Sequence, residues 1–169
     1  YIVNTSSTQT GRLQPLYGIS DRSELEEKIL DLKGYKGNGP VRIGNQAYTH
    51  TQNDVYGQVL VSLLPLYTDR RFIGKERSDT LKLVYRALEM IESTMEEADA
   101  GLWEFRNFAQ HHCFTYLFHW AGSASAIKIG HHYGDKDMQA KARSLMEAAA
   151  KKIEQCYAPG KKGYSQAIG

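Results

Sequence analysis

The sequence predicts an all-α fold. Three observations predict it. Four segments carry apolar residues at helical spacing. Those segments alternate along the chain, one apolar over most of its surface and the next apolar on one stripe only. No strand-rich region competes with them, and no fixed sequence period suggests a solenoid.

Before the first of these helices the chain is mostly irregular. Tyr1 to Thr10 is polar and β-tolerant and gives no firm element, and Gly11 to Gly18 reads as an extended segment ending in a turn. Ser23 with Glu26 three residues later fits a capping box, which predicts a short helix through Leu30. Gly34 to Asn45 holds four glycines and Pro40, so it is expected to lack regular structure. Ordered loops of that length in compact domains are often functional. The loop is no phosphate cradle, because neither the Lys-Ser/Thr ending nor a flanking strand is present. Its polar tips, Arg42 and Asn45, are the candidates to point somewhere specific; the plainer alternative is an arginine that satisfies loop carbonyls.

The first long helix starts near Thr51. Val55, Val59 and Leu63 share one face with Tyr56, Leu60 and Leu64 beside them, so this helix is mostly buried, and Pro65 is expected to help end it. Asp54 stands where a carboxylate complements the helix dipole. Ser78 caps the second helix, whose stripe runs Leu81, Val84, Tyr85, Leu88, Ile91 and Met95. In the third, Cys113 to Ile129, apolar residues cover most of the circumference. It is too short and too polar in places to span a bilayer, so it is expected to be buried. The fourth starts at Gly134-Asp135 and carries Met138, Ala142, Leu145, Ala149 and Ile153 on one stripe. Pro159-Gly160 stops it, and Lys161 to Gly169 reads as loop. Inner helices of a ring touch neighbours all round, and outer ones only on one stripe. Four helices do not close such a ring alone.

At 169 residues the chain suits one domain. A net charge of +2 is too slight to argue for nucleic acid or an anionic membrane. Nothing at the start resembles a signal peptide, but the first residue is Tyr1 rather than Met, which deprives that observation of meaning. Cys113 and Cys156 lack metal-type spacing and read as reduced, buried thiols of a cytoplasmic protein. The six histidines form no metal motif, since His111-His112 and His131-His132 are adjacent pairs that point apart on a helix. No metal and no cofactor is expected.

Between the second and third helices stands Gly101-Leu102-Trp103-Glu104-Phe105-Arg106. A short loop at the mouth of a buried helix is a place to present a working carboxylate. Trp103 offers a stacking wall for a sugar, Glu104 an acid, and Arg106 an anchor for an anion or a neighbouring carboxylate. The competing reading has Trp103 and Phe105 plugging a core while Glu104 and Arg106 form a surface pair.

Gly34-Tyr35 with Pro40-Val41-Arg42-Ile43-Gly44-Asn45, then Gln52-x-Asp54-x-Tyr56-Gly57, then Gly101-Leu102-Trp103-Glu104-Phe105-Arg106, together resemble glycoside hydrolase family 15. That family holds glucoamylases, glucodextranases and some trehalases. The resemblance runs in the same order from about Gly11 to the tail. It implies part of an (α/α)6 barrel, with residues 1–169 as one partial catalytic domain, a Gly-rich loop at 34–45 and an acid-bearing loop at 101–110. It implies inverting hydrolysis of an α-glucosidic bond, with an oligo- or disaccharide of glucose as substrate and Glu104 as general acid. Trp103 would line the sugar site, and Arg42, Arg106, Asn45 and His112 would serve the pocket. The sequence departs from many bacterial members after the acid: Phe114-Thr115 is kept, but the Ser-Lys that follows in them is absent. The family's Arg-Asp substrate clamp and its second catalytic Glu find no match here, which leads us to expect a middle fragment, inactive alone. Should the chain itself hydrolyse a glycoside, Asp54 is the first candidate for a base.

Two other classes stay open at this stage: a non-catalytic carbohydrate-binding relative, and a helical interaction module. A partial barrel is also expected to leave apolar inner faces uncovered around Leu63, Phe118 and Trp120, favouring self-association or pairing with the missing segments.

Overall fold

The computed structural model describes residues 11–20, 22–72, 78–103 and 108–169, without the side chains of 78–80. It is mostly helical, as the all-α expectation requires. The four long helices are α1 (Asp54–Thr68), α2 (Ser78–Thr94), α3 (Cys113–Tyr133) and α4 (Lys136–Gln155). The chain forms two compact units, one made of Tyr1–Leu13 with Gln52–Gly169 and the other of Gln14–Thr51.

The helical unit is built around α3, which packs on α1 and on α4. Its core combines Leu60, Leu63 and Tyr67 of α1, Val84, Leu88 and Ile91 of α2, Tyr116, Ala126 and Ile129 of α3, and Met138, Ala142 and Ala149 of α4. The stripes expected for α2 and α4 are therefore the faces they bury. Asp135 caps α4 by accepting from the Met138 N–H at 2.9 Å, and its other oxygen accepts from the Tyr85 hydroxyl at 2.7 Å. That second bond ties the start of α4 to α2.

Several expectations need correcting in this unit. Pro65 does not end α1, which runs on to Thr68; proline lacks a donor but its carbonyl still accepts, here from Asp69 N–H at 2.9 Å. Helix α3 is buried less by large apolar side chains than by small and polar ones. Thr115, His119, Gly122, Ser123 and Ala126 face inward, while Leu117 and Trp120 stand exposed. Leu63 is covered, so it does not belong with Trp120 to an open apolar face. The segment after α4 is not plain loop. Strands β3 (Tyr157–Ala158) and β4 (Gly163–Tyr164) pair antiparallel across a 3-10 turn at Pro159–Lys161. Residues beyond β4 then bond backbone to backbone with the start of α3: Cys113 N–H to Gln166 O at 2.9 Å and Ile168 N–H to His111 O at 3.0 Å.

The smaller unit overturns the helix expected from Ser23 to Leu30. That stretch is extended and ends in β1 (Lys28–Leu30), which pairs antiparallel with β2 (Val41–Ile43). Exposure alternates from Arg22 to Lys28, the two-residue period of a strand, and cross-strand pairing outweighs a local capping box. Residues 34–45 are correspondingly more regular than expected, since they hold β2 and a 3-10 turn at Tyr35–Gly37. Gly44 is required where it stands. Its φ is 75°, and a Cβ there would lie 2.0 Å from the Glu26 carbonyl oxygen. Among the described residues no helix is long and apolar enough to cross a membrane.

Candidate active site

Glu104, Phe105 and Arg106 lie outside the described residues. The chain on either side of them is described. Asp99 and Gln110 form a reciprocal backbone pair, Asp99 N–H to Gln110 O at 3.0 Å and Gln110 N–H to Asp99 O at 2.9 Å. This pair forms the neck of the segment from 100 to 109, which carries Trp103 and Glu104. Trp103 itself is 67% exposed, so within this chain it does not plug a core.

Beneath the neck lies a cluster of buried polar residues: Asn53, Asp54, Asp99, His112, Thr115 and His119. The Asp99 carboxylate organises it. Oδ2 accepts from the Asn53 N–H at 2.8 Å and from the Thr115 hydroxyl at 2.9 Å. Oδ1 accepts from the Gly101 N–H at 3.1 Å. One carboxylate thus joins the start of α1, the first turn of α3 and the loop itself. Its burial is tolerable because three donors replace water.

Asp54, the first residue of α1, is also buried and accepts from the Gln58 side-chain amide one turn on. Burial pushes its carboxyl above the ordinary value, and the negative charge of Asp99 acts in the same direction, against the lowering effect of the Gln58 bond. His119 donates from Nε2 to the Asn53 carbonyl at 3.0 Å, since a carbonyl only accepts. Burial pushes its pKa down, favouring the neutral ring. The ring of His112 lies against Gly101: a Cβ there would stand 2.5 Å from its Nε2 and Cδ2. Gly101 also takes a φ of 62°, so glycine is demanded twice over.

The other candidates lie in the smaller unit. Arg42 on β2 pairs through Nε with Glu27 Oε1 at 3.0 Å, rather than with loop carbonyls. Asn45 accepts from the Ala47 N–H at 3.0 Å and so caps the 3-10 turn Gln46–Thr49. Among the described residues no group of three or more His, Cys, Asp or Glu is placed to hold a metal ion.

Sequence reasoning passed over Asp99, Thr115 and His119. A signal for two of them was present: Thr115, His119 and Ser123 recur every fourth residue, a polar stripe in a helix read as apolar over most of its circumference.

The family model of glycosyl hydrolases family 15 matches residues 2–169. The chain belongs to this family. Within family 15, relatives similar to this chain include a trehalase of Thermoplasma volcanium, 32% identical over 127 residues, which are 75% of this chain and 20% of that protein. A trehalase of Mycolicibacterium smegmatis is 30% identical over 151 residues, 87% of this chain and 22% of its own length. One of Mycobacterium tuberculosis is 30% identical over 136 residues, 80% of this chain and 20% of its own. The chain thus spans about a fifth of the length of the curated relatives it matches. No solved structure matches the chain significantly. Membership of family 15 makes this a chain of a glycoside hydrolase family, and its helices are those of part of a helical barrel.

Proposed function

We propose that this chain contributes the acid-bearing part of an inverting glycoside hydrolase that cleaves the α-glucosidic bond of a glucose disaccharide. Trehalose is the first choice of substrate, because the relatives carry that activity in their names. Glu104 is the general acid, and Trp103 is the wall on which the sugar ring stacks. The observation that carries this reading is the family-wide match together with a loop closed at its neck that offers an exposed tryptophan immediately before the glutamate.

In the proposed step Glu104 gives its proton to the glycosidic oxygen as that bond breaks. A second carboxylate takes a proton from water, whose oxygen attacks the anomeric carbon from the opposite face. Such pairs stand roughly 6.5–9.5 Å apart to leave room for the water. In this reading the second carboxylate belongs to another part of the full-length enzyme and the 169 residues alone are inactive; hydrolysis by this chain itself would overturn that and turn attention to Asp54. Arg42, Arg106 and Asn45 are further sugar contacts in this reading, and His112 bears on the pocket through Gly101. Two free, buried thiols fit a cytoplasmic protein.

Replacing Glu104 with Gln in the full-length enzyme keeps the shape and removes the transferable proton. Turnover of trehalose should fall by about 10²–10⁴-fold, and the basic limb of the pH–rate profile should vanish. Near-normal turnover would overturn the assignment.

A further inference from the structure

We infer that Asp99 is a positioning residue for the general acid, an inference that rests on the reading of Glu104 given above. Asp99 acts on the loop in two ways. Its backbone closes the neck by pairing with Gln110, and its carboxylate holds the Gly101 N–H from inside. The same carboxylate is anchored on two helices, through Asn53 N–H at the head of α1 and the Thr115 hydroxyl in the first turn of α3. Gly101 is three residues before Glu104. Its backbone is clamped between that carboxylate and the ring of His112. The chain therefore enters the Trp103-Glu104 stretch from a point fixed to the helical frame rather than from a free hinge.

Why a carboxylate rather than an amide follows from donor counting. All three groups that reach Asp99 are donors, two on Oδ2 and one on Oδ1. A carboxylate accepts on both oxygens, whereas an asparagine turns one of them into an NH2 that faces a donor. The Asp99→Asn variant thus keeps the volume and loses either the Gly101 clamp or both helix anchors. Buried donors left without an acceptor then shift to find one. A misplacement of about 1 Å at a reacting group can cost on the order of 100-fold in rate.

The test separates a displaced acid from a damaged protein. Full-length Asp99→Asn and Glu104→Gln are each assayed on trehalose and on α-glucosyl fluoride. Fluoride leaves without needing a proton, whereas the glucose of trehalose needs one. The ratio of the two rates within one preparation does not depend on how much of it is folded. Asp99→Asn should lower the trehalose-to-fluoride ratio by roughly 10-fold to 100-fold. Thr115→Val, which removes one donor at nearly constant volume, should lower it less and in the same direction. It also serves as the readout if Asp99→Asn does not fold. An unchanged ratio in Asp99→Asn or, failing that, in Thr115→Val, with Glu104→Gln strongly lowered, would overturn the role given to Asp99. An unchanged ratio in Glu104→Gln would sink the acid itself, and the inference with it.

Discussion

Gly57 of α1 and Gly122 of α3 meet backbone to backbone. A Cβ on Gly122 would stand 2.6 Å from the Gly57 Cα, and one on Gly57 would stand 2.0 Å from the Phe118 carbonyl oxygen. Two helices at this spacing are held in one register, and that register sets Asn53 beside His119. Gly57→Ala in the full-length protein is expected to destabilise, despite the roughly 1 kcal/mol that alanine contributes to a helix. Overpacking typically costs about 1–3 kcal/mol, and here the obstacle is backbone, which cannot swing aside. Chemical denaturation would show a lower midpoint for both Gly57→Ala and Gly122→Ala.

Gly101 and His112 form a second close pair, and here the neighbour is a side chain. Gly101→Ala places a Cβ in the His112 ring and strains a left-handed backbone, the latter at about 1–2 kcal/mol. His112→Ala removes the ring but not the strain. The penalty of Gly101→Ala should therefore be smaller in a His112→Ala background than in the parent. A double-mutant cycle on stability measures the difference, and strict additivity would mean that the two do not press on each other.

Asp54 gives a pH dependence with a definite sign. Burial raises its pKa in the folded protein above the ordinary 3.8, so the unfolded chain releases this proton first as pH rises. Stability from this group is whole below that ordinary value and is lost as pH climbs through the raised one. Asp54→Asn keeps an acceptor for Gln58 and cannot ionise. Its melting temperature relative to the parent should rise between acid and neutral pH and then level off. A difference that is flat with pH would remove the assignment.

Cys113 and Cys156 are free and buried, and Cys113 lies close enough to influence Cys156. Burial first, and then the neighbouring Cys113 thiol, pushes Cys156 up to about 12. The thiolate is the reactive form, so Cys156 should resist a thiol reagent at pH 8 in the native protein and react promptly in denaturant. Rapid native labelling would show that the end of α4 opens.

The helices were legible because their signal is periodic and local. The stripe from Met138 to Ala149 and the sharp start at Asp135 need only a few neighbouring residues to recognise. The Lys28–Leu30 strand was not, because what decides it is pairing with Val41–Ile43, beyond the reach of a capping box. The loop of Trp103 and Glu104 stood out by residue type. Its anchor did not: Asp99 reads as one more acid in Glu96-Glu97-Ala98-Asp99, and only the fold turns it inward to Asn53 and Thr115.

The backbone pairing between the start of α3 and residues 166–168 bears on the order in which the molecule assembles. Helices α1 and α3 can meet as soon as the ribosome has released Tyr133. His111 and Cys113, on either side of the ring that backs Gly101, receive their partners only after α4 and the hairpin behind it have emerged. A nascent chain that stalls before residue 166 therefore carries helices α1 to α4 and an unfinished frame for the loop, so that frame is completed only after the helices it rests on.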